Sequence, residues 1–159
     1  MIILGLDPGT ATTGYGVIRM NHFKISAIAY GTILTKPEMA MENRLEVIYE
    51  DLGQVLEQYR PDEVAIEKLF FGRNTTTAIT VGQARGVLLL RLAQAGLPIG
   101  EYTPMQVKKA LVGYGSAEKK QVQYMVQNFL NLPEIPKPDD AADALAIAIC
   151  HAHSRSGLI

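Results

Sequence analysis

The sequence predicts an α/β fold: a five-stranded mixed sheet with an antiparallel three-strand meander and helices on both faces. Three observations carry this. Three apolar or alternating segments follow one another before residue 35 with no helix pattern between them. At Met41 the apolar period changes to three and four residues. Beyond that point short apolar runs alternate with helical stretches, an order that implies parallel pairing on one side of the sheet.

Residues 2–6 form the first strand, an apolar run closed by the turn signal Asp7-Pro8-Gly9. Residues 14–20 are the second strand and 23–34 the third, joined through Asn21-His22. Met41, Leu45, Ile48, Leu52, Val55, Leu56 and Tyr59 lie along one face of an amphipathic helix. It ends at Arg60-Pro61, since the residue before proline leaves the helical region. Val64-Ala65-Ile66 is a short buried strand ending at Glu67. Residues 75–95 read as a long helix stopped by Gly96 and Pro98, and 99–103 as the fifth strand. Two helices, 107–112 and 118–130, flank Gly113-Tyr114-Gly115-Ser116. After the proline-rich link 133–138, a last helix runs from Asp139 to about Ser154.

The chain has 159 residues, 48% apolar and 19% charged, enough for one domain with a real core and too apolar for whole-chain disorder. Its single cysteine, Cys150, excludes an intrachain disulfide and a zinc ribbon. Residues 1–4 lack a basic region and reach Asp7 too soon for a signal peptide. The longest apolar run, 87–90, stops at Arg91, far short of the ~20 residues a membrane span needs. The expectation is a single domain over residues 1–159, soluble and cytoplasmic, with no membrane partner.

Four acids fall at special places. Asp7 ends the first strand, Glu67 ends the fourth, and Asp140 and Asp143 share one side of the first turn of the last helix. If strands one and four are parallel neighbours, Asp7 and Glu67 meet at the carboxyl end of the sheet, where open α/β sheets bind ligands. Singly, each acid also reads as a turn residue, a solvated strand end or a helix-dipole partner. Together they repel unless cations neutralise them, and oxygen ligands without His or Cys favour Mg²⁺ or Mn²⁺. His151 lies eight residues past Asp143, roughly 12 Å along a helix, too far to share a metal with it. His151 and His153 read as polar helix-end residues, and Cys150 as core.

The chain closely resembles the RuvC family of Holliday-junction resolvases, in the ribonuclease-H-like superfamily. The resemblance rests on five blocks in order: Gly5-Leu6-Asp7-Pro8-Gly9 with Gly14-Tyr15-Gly16, Ala65-Ile66-Glu67 followed by Phe70, Gly82-Gln83-Ala84-Arg85-Gly86, residues 112–119, and residues 140–146. It implies a single ribonuclease-H-like nuclease domain and an endodeoxyribonuclease that cuts four-way DNA junctions by paired symmetric nicks. The family's catalytic, metal-binding carboxylates fall on Asp7, Glu67, Asp140 and Asp143. Two Mg²⁺ ions are implied, with Mn²⁺ able to substitute, Asp7 bridging them, Glu67 holding one, and 5′-phosphate and 3′-hydroxyl products. Asp139 is an extra acid beside the last pair.

Lys108 and Lys119 match family positions that contact the phosphate backbone, and Lys109, Lys120 and Arg73 are further DNA-binding candidates. Phe70 matches a base-stacking position; Phe71 fits a core residue better. Arg85 reads as a contact to DNA or to a second subunit. A homodimer suits a two-fold substrate. The long helix offers the interface through Ala78, Gly82, Gly86, Leu89 and Ala93, since a helix apolar on more than one face needs more than one partner. A branch-migration motor complex is a partner implied by the resemblance alone. Two alternatives stay open. Asp7-Pro8-Gly9-Thr10 fits the phosphate loop of actin-like and sugar-kinase ATPases, though those need two such domains. A non-catalytic junction-binding module would carry the same fold.

The net charge of −1 conceals a division. Residues 68–120 hold eight basic residues against Glu101 and Glu118, a net +6, and the remainder carries −7. The basic segment is the expected DNA-facing part, and four of the remaining acids are the proposed metal site.

Overall fold

The computed structural model describes residues 1–70 and 75–157. Strands β1 (Ile2–Asp7), β2 (Thr12–Asn21) and β3 (Lys24–Leu34) come first, then helix α1 (Met41–Tyr59) and strand β4 (Glu63–Glu67). Helix α2 (Thr75–Gln94), strand β5 (Ile99–Tyr102) and helices α3 (Pro104–Val112), α4 (Lys119–Leu130) and α5 (Asp139–Arg155) complete the chain. The sheet order is β3-β2-β1-β4-β5. β1 runs antiparallel to β2, with Asp7 opposite Gly14, and parallel to β4, with Leu6 opposite Ile66. β4 and β5 are also parallel, so the expected mixed sheet with an antiparallel meander is present.

Several boundaries differ from expectation for local reasons. The β2–β3 ladder continues from Thr12–Leu34 to Asn21–Lys24, so both ends of β2 are longer than its apolar run. The turn sits at His22, which takes a positive φ of 56°, and Phe23 stays outside β3. Helix α3 begins at Pro104, three residues before its apolar period. Thr103 caps it reciprocally with Gln106, and proline at the first helical position needs no donor.

Strand alternation sends side chains to two separate cores. Leu4, Leu6, Val17, Val64 and Ile66 meet α1 and α2 on one face. Ile3, Ile18 and Ala65 meet α5 on the other, with α3 and α4 packed outside it. α5 is therefore enclosed on all sides, and every residue from Ala141 to Ala152 except Asp143 is buried. Its alanines suit both requirements, favouring helix and leaving room for close approach.

That approach is extreme at three glycines. A Cβ on Gly14 would lie 2.0 Å from the Asp140 carbonyl oxygen, and one on Gly5 2.1 Å from that of Ala144. One on Gly16 would lie 2.8 Å from the backbone nitrogen of Leu145. The main chain of α5 rests directly on the sheet where β1 and β2 carry no side chain.

The far end of α5 is fixed differently. His151 is buried, with Nε2 2.7 Å from Glu63 Oε2 and Nδ1 2.8 Å from the Tyr102 hydroxyl. Arg155 adds a 3.2 Å ion pair to Glu63. His151 is thus a buried link between α5 and both parallel strands, not the polar helix-end residue the sequence suggested. His153 does sit near that end, its Nδ1 3.2 Å from the Ala110 carbonyl. Cys150 is core, as expected, and burial pushes its thiol up to about 12.

Gly5→Ala and Gly14→Ala should each cost about 3 kcal/mol of stability, because backbone rather than a flexible side chain blocks the added methyl. Denaturant unfolding measures this; a loss below about 1 kcal/mol at both positions contradicts the direct seating of α5.

Candidate active site

The parallel β1–β4 pair brings Asp7 and Glu67 to the same end of adjacent strands. By alternation both share the face of Gly5 and Ala65, toward α5. The first turn of α5 lies across Gly14, and Gly14 is the register partner of Asp7. Asp140 and, three residues on, Asp143 are carried to that same point. The fold brings the four expected carboxylates together.

Their mutual influence is strong. Burial first, then Glu67, Asp143 and Asp140, pushes the Asp7 carboxyl up to about 8, with Lys119 opposing. Burial and then Asp143 raise Glu67, and Lys108 pulls it back. Burial also raises Asp143, against the ammonium of Lys119. Lys119 Nζ lies 3.2 Å from Asp139 Oδ2 and 3.4 Å from Asp143 Oδ2. Burial depresses Lys119, and the two aspartates outweigh it, so its ammonium is held charged. Asp139 is exposed and also accepts from Gln123 at 3.2 Å, so it faces α4.

This donor set fits a hard divalent cation: carboxylate oxygens, no His or Cys, and a buried acid whose charge lacks compensation. Among the described residues no three such side chains stand close enough to cage an ion as placed. Asp143 turns instead to Lys119, which supplies part of the missing positive charge.

The other predicted residues divide. Lys108 and Lys119 line one hollow with Glu67 and Asp143, between α3, α4 and α5. Lys109 is exposed in a different hollow, beside Gly113 and Ser154. Lys120 is exposed at the start of α4. Phe70 is 66% exposed and lines a cleft with Glu67, Pro8 and Arg85. Arg85 is engaged within its own chain: Nε donates to the Glu67 carbonyl at 2.9 Å, and the guanidinium pairs with Glu101. Arg73 and Phe71 lie outside the described residues.

The loop after Asp7 is braced by groups the sequence reading passed over. Thr10 donates to the Thr80 carbonyl of α2 at 2.8 Å, Thr13 to that of Gly9 at 2.6 Å, and Thr35 to that of Thr10 at 2.6 Å. The available signal was Thr10-Ala11-Thr12-Thr13 directly after Pro-Gly, small hydroxyl residues that bond nearby backbone.

A family model described as crossover junction endodeoxyribonuclease RuvC matches residues 3–151. The chain is 59% identical over 154 residues to the crossover junction endodeoxyribonuclease RuvC of Syntrophomonas wolfei, covering 97% of this chain and 90% of that one. A 59% match over 154 residues to the protein of the same description from Heliobacterium modesticaldum covers 97% and 95%. Among solved structures, T. thermophilus RuvC in complex with Holliday junction substrate superposes with a TM-score of 0.93 at 39% identity, over 99% of this chain and 96% of that chain. The yeast mitochondrial Holliday junction resolvase Ydc2, at 14% identity and a TM-score of 0.70 over 98% and 81%, shares the fold.

Without divalent ions Asp7 has a consequence for stability. Between its usual 3.8 and about 8, the folded chain keeps a proton that the unfolded chain has lost. Stability therefore falls as pH rises through that window. Asp7→Asn should stabilise the metal-free protein near pH 8 and flatten the decline. Denaturant unfolding at about pH 5 and about pH 8 in chelator measures both, and an unchanged slope in the variant contradicts the assignment.

Proposed function

The chain belongs to the RuvC family of crossover junction endodeoxyribonucleases, and on that premise we propose the chemistry by which it resolves four-way DNA junctions. The reaction is paired, symmetric, Mg²⁺-dependent phosphodiester hydrolysis that leaves 5′-phosphate and 3′-hydroxyl ends, serving recombination and DNA repair. One observation carries this reading above all: four carboxylates from β1, β4 and α5 converge, with Lys108 and Lys119 at the rim.

Asp7, Glu67, Asp140 and Asp143 would hold two Mg²⁺ ions, with Mn²⁺ able to take their place. Bound there, such a pair supplies a hydroxide nucleophile and neutralises charge on the departing 3′-oxygen. Asp7, the most strongly coupled of the four, gives up its proton as it becomes a ligand. Lys108 and Lys119 lie where they meet the phosphate of the strand being cut, and Lys119 exchanges its aspartate partners for that contact. Phe70 offers an exposed ring on which an unpaired base stacks. Lys109, Lys120 and Arg73 serve as outlying DNA contacts. Arg85 acts on the site from behind, holding the end of β4 that carries Glu67.

The enzyme works as a homodimer through α2, whose Ile79 and Leu90 are 61% and 54% exposed and whose Gly86 opens onto empty space. A two-fold pair of sites suits two symmetric nicks. Family membership adds a branch-migration motor complex as partner and the cytoplasm as location. Among the described residues no helix is long and apolar enough to cross a membrane.

Asp7→Asn should reduce nicking of a synthetic four-way junction in Mg²⁺ by about a thousandfold or more while junction binding survives. A linear duplex should remain uncut by the unaltered chain. Retained nicking by the variant removes the core of the mechanism, and equal cutting of the duplex removes junction selectivity. In sedimentation equilibrium at micromolar concentration the chain should run as a dimer, and Ile79→Glu should yield monomers; a monomeric parent chain contradicts the α2 interface.

A further inference from the structure

Two large apolar side chains near the carboxylates stand mostly in solvent: Phe70 at 66% and Met105 at 67% exposure. They come from different elements. Phe70 lies three residues beyond the end of β4, and Met105 is the second residue of α3. With Thr103, Pro104, Lys108 and Gly115 they line a single hollow.

Three features suggest that the hollow is built for a ligand. The Thr103 cap and Pro104 fix where α3 starts, and so fix where Met105 leaves the backbone. A Cβ on Gly115 would come 2.4 Å from Met105 Cγ, so a glycine is required for Met105 to lie as it does. Gly115 is not in the left-handed region that Gly113 occupies, so its bare Cα serves that contact rather than the turn. Lys108, one helical turn after Met105, is the one charged residue lining the hollow among the described residues, and it also acts on Glu67. The hollow therefore opens onto the carboxylate site through a cation.

We propose that this hollow is a subsite for one unpaired nucleobase beside the phosphate being cut, and that Met105 is a specificity-determining residue for the reaction. The base lies against the Phe70 ring, the Met105 thioether closes the opposite side, and Lys108 meets the adjoining phosphate. A flat apolar face flanked by an anion matches apolar walls with one cation at the edge. An apolar peptide side chain would fill the walls but leave Lys108 without a counter-charge. The inference rests on the reading of the chain as a junction nuclease.

The test replaces, one at a time, the nucleotides flanking the cut in a four-way junction by abasic sugars. Single-turnover cleavage is measured for the parent chain, Met105→Ala and Met105→Leu. The parent should lose about tenfold at one abasic position. Met105→Ala should be about tenfold slower on the intact junction and lose nothing more at that position, while Met105→Leu keeps most of the parent rate. Met105 is exposed, so its truncation leaves the core intact. Parent cleavage indifferent to every abasic replacement overturns the proposal. So does Met105→Ala losing the full parental factor at the same position. Failure of the parent chain to cut any intact junction overturns the nuclease reading itself, a separate result that takes this inference down with it.

Discussion

The contact between the main chain of α5 and the bare Cα atoms of Gly5, Gly14 and Gly16 is the constraint on which the rest of the molecule depends. A helix normally stands off a sheet by the depth of its side chains and those of the strands. Here the carbonyl oxygens of Asp140 and Ala144 occupy the places where two strand side chains would begin. Only that depth brings a helix-borne aspartate to the strand-borne Asp7. The same closeness forces small residues on α5 and leaves α3 and α4 to cover its outer side. Sheet, helix and site are consequences of one packing decision.

The site works against the stability of the fold that makes it. Four acids gathered at a strand end repel, and burial penalises their charge further. The fold offsets this away from the carboxylates. At one end of α5 Lys119 pairs with Asp139 and Asp143, and at the other His151 joins Glu63 and Tyr102. Both anchor the helix while leaving Asp7 and Glu67 without a partner charge of their own in direct contact. Polar side chains thus hold the ends of an apolar helix in register over the glycines, and the repulsion in the middle is contained.

Much of this was legible in the residues. The change of apolar period, the order of strands and the parallel logic of strand–helix–strand predicted the sheet, and with it the meeting of Asp7 and Glu67. The i, i+3 spacing singled out Asp140 and Asp143, and Asp139 is the one that turns outward to Lys119 and Gln123. What escaped the sequence reading was carried by long-range or local polar contacts that leave no period. His151 meets a strand residue 88 positions away, and Arg85 a carbonyl 18 positions away, so neither partner shows in a window of sequence. The start of α3 escaped because its cap and proline precede the apolar pattern, although Thr-Pro-x-Gln is itself a readable signal.

The Arg85 bracket joins two parts of the molecule that would otherwise be independent. It grows from α2, the helix with the unsatisfied apolar surface, and grips the peptide of Glu67 and the side chain of Glu101. Helix and strand end are thereby one rigid lever, without a hinge between them. Any tilt of α2 against a neighbour is transmitted to the carbonyl of a catalytic glutamate, through a planar group with little freedom to absorb it. Two subunits meeting along that helix would not merely be held near each other; each would feel, in the position of its own Glu67, how squarely the other is seated.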